Sequence, residues 1–104
     1  MNELVEFQYR EFYDIPRLFV VKYHGRHFLF DGSFSDDLDE YPDQYEVFLM
    51  PSLRDIELAG SWEHLKDRAI QSFGCVPITA VSFDPSKRKM IDASILGDFS
   101  RQVA

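Results

Sequence analysis

An acidic segment is the part of this sequence with the clearest chemical potential. From Ser35 to Glu46 it reads SDDLDEYPDQYE, in which six of twelve residues are carboxylates and none is basic. Carboxylates at this density can bind a cation, exchange protons or attract a positively charged partner. A calcium loop of the EF-hand type is not indicated, because a count from Asp31 or Asp37 places Asp36 or Pro42 at the position that requires glycine. We therefore expect no metal site and no cofactor.

Histidine and cysteine offer the other candidate chemistries. His24 and His27 occur as HGRH, but zinc needs two further ligands, and the distant His64 and the single Cys75 supply these poorly. In a hairpin with its turn at His24-Gly25, we interpret His24 as a turn residue and His27 as a surface residue. Cys75 follows a predicted helix, at the end where the dipole raises a thiol's pKa, so we expect a small buried hydrophobe.

Acid catalysis by the acidic segment is also disfavoured. A pair of carboxylates that cleaves a glycoside needs one acid in a dry pocket, and a run this dense and polar is expected to be wet. We find no glycine loop for phosphate and no serine-centred nucleophile motif. The sequence therefore predicts no catalytic residues, although an enzyme whose site is assembled from distant residues stays an alternative.

A protein-binding surface is the better interpretation of the same segment. Tyrosine offers a large contact area at low entropic cost, and surrounding carboxylates steer a basic partner. The proline between the tyrosines restricts the loop and lowers the cost of ordering it. The alternative is a solubilising loop whose tyrosines fold onto the core. The predicted partner-binding residues are Asp36, Asp37, Asp39, Glu40, Tyr41, Asp43 and Tyr45.

Composition narrows the class of protein. The 104 residues predict a single domain over 1–104, and the formal net charge of −7 disfavours nucleic acid as a partner. No apolar run approaches the roughly 20 residues of a membrane helix. The N-terminal MNELVEFQYRE lacks the basic and apolar parts of a signal peptide, and the lone cysteine gives no internal disulfide. We expect a cytoplasmic protein that does not contact membranes.

Local patterns predict an α+β fold. Alternation over 4–10 indicates a strand, and residues 17–31 indicate a hairpin with His24-Gly25 as its two-residue turn, which pairs Phe19 with Phe30 and Val21 with Phe28. The other expected elements are a third strand over 45–50 after the acidic loop, a main helix over 62–73, strands over 76–83 and 88–91, and a short C-terminal helix. The predicted architecture is an antiparallel sheet of about five strands with the main helix packed on one face, so that Trp62, Leu65 and Phe73 contact the aromatic face of the hairpin.

In general character the chain resembles the cognate immunity proteins of bacterial toxin systems, including contact-dependent growth inhibition systems. The resemblance consists of small size, acidity, many aromatic residues and the absence of a recognisable catalytic set. It implies a cytoplasmic inhibitor that neutralises a basic toxin domain, such as a nuclease, by tight binding. It carries over no functional residue. A small regulatory or partner subunit of a larger complex is the alternative within the class of binding proteins.

Overall fold

One antiparallel sheet organises the chain. The computed structural model describes residues 3–85 and 89–103. Within these residues, six strands lie in the order β5-β4-β3-β2-β1-β6. The strands are β1 (Leu4–Tyr13), β2 (Ile15–Tyr23), β3 (Arg26–Asp31), β4 (Gln44–Met50), β5 (Gln71–Pro77) and β6 (Met90–Asp92). The α-helices are α1 (Asp55–Ala59) and α2 (Ser94–Ser100), with single 3₁₀ turns at Leu65–Arg68 and Ile78–Ala80.

The predicted β2–β3 hairpin is confirmed with its register. Phe19 pairs with Phe30 and Val21 with Phe28. The turn residues His24 and Gly25 have φ values of 50° and 79°, both in the left-handed region that a two-residue turn of type I′ requires. The four paired side chains are fully buried, so the aromatic face of this hairpin forms the centre of the main core.

The sheet separates two hydrophobic clusters. The larger cluster includes the aromatic face of the hairpin, and the Leu96 and Phe99 side chains of α2 complete it. The smaller cluster lies on the opposite face, where Leu53, Leu58, Trp62 and Leu65 cover the β2–β4 strands. The predicted C-terminal helix is thus confirmed as α2. Helix α1 lies within residues 52–60, where the sequence also favours a short turn of helix that finishes at Gly60.

The predicted main helix over 62–73 is wrong. Trp62 lies before a single 3₁₀ turn, Ala69 already has extended backbone, and Gln71 begins strand β5. Trp62 and Leu65 pack in the smaller cluster, whereas Phe73 packs on the opposite face against Phe28 and Phe99. The apolar residues whose spacing suggested one face of a helix therefore pack on opposite faces of the sheet.

The C-terminal strands also differ from the prediction. The strand expected over 76–83 is replaced by the end of β5, a 3₁₀ turn and a bridge between Phe83 and Ile91. The return strand expected over 88–91 becomes β6, whose main partner is β1. Residues 86–88 lie outside the described residues. They include the second half of the turn that the sequence predicts at Asp84-Pro85-Ser86-Lys87 and two residues of the small basic cluster at Lys87, Arg88 and Lys89.

Candidate functional site

The acidic segment forms a closed turn at one end of the sheet. Ser35 and Glu40 exchange backbone hydrogen bonds of 2.9 and 3.3 Å, and the Leu38 N–H donates to the Ser35 hydroxyl at 3.3 Å. Asp39 has a φ of 54°, a conformation that aspartate tolerates better than most residues. Leu38 at the tip is 65% exposed. We call residues 35–40 the acidic turn, and its backbone is fixed without help from its carboxylates.

Three aromatic side chains connect the base of the acidic turn to the end of β1. Phe34 and Tyr41 flank the turn with ring centroids 5.2 Å apart in edge-to-face geometry. Tyr41 also stacks on Tyr13, with centroids 5.1 Å apart and planes 16° from parallel. Tyr13 is 58% exposed and Phe34 41% exposed. These three residues, the aromatic cluster, present apolar surface directly beside the carboxylates.

Arg17 holds the acidic turn and the end of β1 together. Its guanidinium lies 4.8 Å from the centre of the Tyr41 ring and donates to the backbone oxygens of Tyr13 at 3.1 Å and Pro42 at 3.3 Å. The residue is buried, so these carbonyls and the face of the ring compensate for the water that the cation loses. Burial and the hydrogen bond that the Tyr41 hydroxyl donates to Glu11 (3.2 Å) raise the pKa of Tyr41.

Most of the predicted partner-binding residues lie together on this surface. Asp36, Asp37, Asp39 and Glu40 are exposed on the acidic turn, and Tyr41 is half-buried at its base. Asp43 is exposed beyond the turn, and its backbone carbonyl accepts a hydrogen bond from the Ile78 N–H at 3.0 Å. The structure thus brings the carboxylates and one of the two tyrosines to the same end of the sheet.

Tyr45, which the sequence analysis places among the partner-binding residues, is instead buried, and its side chain has no exposed surface. It belongs to the larger core cluster, and its hydroxyl donates to the Pro16 carbonyl at 2.5 Å. Burial raises the pKa of Tyr45 far above its usual value. Alternation along β4 places Tyr45 on the same face as Val47 and Leu49, which points its ring into the core. Tyr45 therefore stabilises the fold and does not form part of the exposed surface.

Residues that sequence reasoning missed complete the site. Tyr13, Arg17 and Glu11 come from the β1–β2 hairpin and contact the segment between β3 and β4. The signal for this contact was present, because alternate connections of consecutive antiparallel hairpins lie at the same end of a sheet. The strand expected over 4–10 extends to Tyr13, and Asp14, which has a φ of 64°, forms the tight turn between β1 and β2.

A groove adjoins the aromatic cluster on the face of the sheet that carries the smaller hydrophobic cluster. It has a volume of about 550 Å³. Its apolar surface comes from Leu18, Leu29, Phe34 and Trp62. Its charged and hydroxyl groups come from Arg10, Glu11, Asp31, Ser33, Ser61, Glu63 and Lys66. Phe34 and Glu11 also contact Tyr41, so the groove and the aromatic cluster form one continuous surface.

Among the polar side chains in the groove, Asp31 and Arg10 each have several defined partners. Asp31 accepts hydrogen bonds on Oδ1 from the Ser33 N–H at 3.0 Å and hydroxyl at 2.6 Å, while its Oδ2 lies 3.8 Å from the Lys66 ammonium. Arg10 lies 4.4 Å from the centre of the Trp62 ring and donates to the backbone oxygens of Leu58 and Gly60. These contacts hold the Arg10 side chain against the wall of the groove, whereas the ion pair between Asp31 and Lys66 is longer than a hydrogen bond.

The histidines and the cysteine lie outside the groove lining. His24 is exposed at the hairpin turn, where it stacks on Tyr23. His27, expected at the surface, is buried and accepts a hydrogen bond on Nδ1 from the Leu53 N–H at 3.4 Å. Burial, reinforced by the charge of Lys22, lowers the pKa of His27. Cys75 was expected to be buried but is exposed on β5, because residues 71–77 form an edge strand and the helix predicted over 62–73 does not form.

In residues 3–85 and 89–103, no three histidine, cysteine or carboxylate side chains converge in an arrangement that could hold a metal ion. Within the same ranges, no helix has the length and apolar character needed to cross a membrane.

Comparisons of the chain with protein-family models, with curated proteins and with solved structures found no match.

Proposed function

We propose that this protein is a cytoplasmic immunity protein, a non-catalytic inhibitor that neutralises a basic toxin domain such as a nuclease. The observation that carries the proposal is the acidic turn beside exposed aromatic side chains. Asp36, Asp37, Asp39 and Glu40 project from a turn that backbone hydrogen bonds already close. Tyr13 and Phe34 offer apolar contact area next to them.

Electrostatics supports a basic partner. The chain has a formal net charge of −7, and no lysine or arginine occurs between His27 and Leu53. Exposed carboxylates without neighbouring cations raise the rate at which a positively charged protein arrives. The active site of a nuclease is positively charged because it binds phosphates, so this surface complements either the site itself or its border.

Preorganisation supports tight binding. A flexible acidic loop would lose conformational freedom on association, at about 1–2 kcal/mol per ordered residue. Here the Ser35–Glu40 backbone pair and the contacts of Arg17 with Tyr41 and Pro42 already restrict the turn. Binding energy from the aromatic contacts is then available for affinity, as expected of an inhibitor that must outcompete a substrate.

Growth protection tests the proposal directly. Each reading frame that flanks the gene is expressed from a repressible promoter, with and without this chain. The proposal predicts that one flanking product stops growth and that co-expression of this chain restores it. If no flanking product is toxic, or if toxicity is unaffected by this chain, the proposal is wrong.

Variants then assign the protection to the surface. A chain with Asp36, Asp37 and Asp39 changed to Asn and Glu40 changed to Gln should protect only at higher expression than the parent. The control neutralises four exposed carboxylates elsewhere, and it should protect like the parent. These control positions are Glu3, Asp55, Asp67 and Asp98.

A further inference from the structure

We infer that the groove beside the acidic turn is a subsite for an arginine side chain of the basic partner. This inference rests on the proposed function, and it names the chemical group that the partner inserts. The groove opens next to Phe34, which also belongs to the aromatic cluster. A partner that covers the acidic turn therefore also covers the mouth of the groove.

The shape and surface of the groove suit a long amphipathic side chain. Leu18 offers half-buried apolar surface that an aliphatic stem can cover, and Phe34 presents an exposed aromatic ring. A guanidinium group stacks favourably on aromatic faces while its N–H groups remain available to carboxylates. The volume of about 550 Å³ leaves room for an arginine side chain with its ordered water.

Carboxylates in the groove provide hydrogen-bond acceptors for the guanidinium group. Glu11, Asp31 and Glu63 line the groove. The Asp31 side chain is mostly buried, and hydrogen bonds from Ser33 to Oδ1 hold its orientation. A held, poorly solvated carboxylate is a strong acceptor for a guanidinium, because charge-assisted hydrogen bonds gain strength where water is scarce.

The cations already present do not block this role. Arg10 is committed to the Trp62 ring and to the backbone oxygens of Leu58 and Gly60. Lys66 is more than half exposed, and its ammonium lies 3.8 Å from Asp31 Oδ2, beyond the 2.7–2.9 Å of a strong charge-assisted bond. An entering guanidinium can therefore displace Lys66 into solvent and take its place at Oδ2.

The chain contains its own reporter for this test. Trp62 is the only tryptophan in the sequence and lines the groove. N-acetyl-arginine amide is titrated into the isolated protein, and Trp62 emission is recorded. The uncharged analogue N-acetyl-citrulline amide serves as the control ligand. We expect a saturable emission change with the arginine compound that the citrulline compound does not produce.

Two substitutions should act in opposite directions. Asp31→Asn keeps the oxygen that accepts from Ser33 but removes the charge, and it should weaken binding of the arginine compound by roughly tenfold or more. Lys66→Gln removes the competing cation and should tighten binding by several-fold. Asp67→Asn and Arg68→Gln change the same charges on neighbouring exposed residues outside the groove, and they should leave binding unchanged. A loss of folding cannot imitate this pattern, because Lys66→Gln is expected to increase affinity.

The inference is overturned if the arginine compound gives no saturable change, if the citrulline compound binds equally well, or if Asp31→Asn binds like the parent. Such a failure is distinguishable from failure of the proposed function. Growth protection that depends on the acidic turn would survive it, whereas absence of any protection alongside arginine binding would reject the inhibitor and keep the groove as a cation site.

Discussion

Substitution of Tyr45 separates the core of this protein from its surface. Tyr45 and Tyr41 are four residues apart and were both predicted to contact a partner, yet Tyr45 has no exposed surface. Its ring meets Phe19 and Phe30 edge-to-face, with centroids 5.5 and 5.9 Å away, and its hydroxyl donates to the Pro16 carbonyl. We therefore expect substitutions of Tyr45 to lower the free energy of unfolding.

The magnitudes follow from what each substitution removes. Tyr45→Phe keeps the ring but leaves the Pro16 carbonyl without its donor, which costs about 1–3 kcal/mol for a buried group. Tyr45→Ala also removes the ring from a dense aromatic cluster, and truncation of a buried aromatic side chain costs about 3–5 kcal/mol. Because the free energy of unfolding of a small domain is roughly 5–15 kcal/mol in total, Tyr45→Ala should remove a large fraction of it.

Urea denaturation followed by circular dichroism measures these differences. The expected order of midpoints is parent, then Tyr45→Phe, then Tyr45→Ala, with similar slopes. Tyr41→Ala is the matched control, since its ring is half-buried at the surface, and it should lose less stability than Tyr45→Ala. If Tyr45→Ala denatured at the parent's urea concentration, the assignment of Tyr45 to the core would be wrong.

Two further predictions concern stability. Gly32→Ala places a Cβ 2.9 Å from Cδ1 of the buried Tyr45 ring and should lower the free energy of unfolding by about 1–3 kcal/mol. Gly97→Ala should not destabilise the protein, because its added Cβ meets nothing within 4 Å. Chemical denaturation compares the two variants, and equal midpoints would contradict the close approach at Gly32. Because the pKa of His27 is lowered in the folded state, the unfolded chain binds the proton more readily. The stability that His27 contributes is therefore complete above its ordinary pKa of 6.5 and falls as the pH drops below that value. His27→Gln should remove this part of the acid sensitivity measured by denaturation from pH 7 to 5, while the exposed His24→Gln should keep it, and an unchanged His27→Gln profile would reject the explanation.

The parts of the fold that could be predicted are those that local chemistry determines. The β2–β3 hairpin is set by two residues, because His24 and Gly25 can both adopt positive φ and the turn then fixes every pair along the strands. The acidic turn was likewise expected to lie in a loop, and it lies between β3 and β4. Its carboxylates have no apolar surface to bury and so remain exposed.

The wrong elements depend on partners distant in sequence. Residues 62–73 have the apolar spacing of a helix. In the structure, however, Phe73 packs against Phe28 and Phe99, and β5 hydrogen-bonds to β4. Pairing with β4 is a tertiary interaction that local periodicity does not contain. The same applies to the site, where Arg17 contributes only because the β1–β2 turn and the acidic turn meet at one end of the sheet.

Binding kinetics of the acidic turn tests the central claim most directly. The toxin domain identified by growth protection is immobilised, and association is measured by surface plasmon resonance at several salt concentrations. The variant with Asp36, Asp37, Asp39 and Glu40 neutralised should associate roughly one to two orders of magnitude more slowly than the parent at low salt and lose much of its salt dependence. Neutralisation of four exposed carboxylates elsewhere should have a smaller effect, and Tyr41→Ala should speed dissociation. If the neutralised acidic turn associates at the parent's rate at low salt, it serves only to solubilise the protein and the proposed interface is wrong.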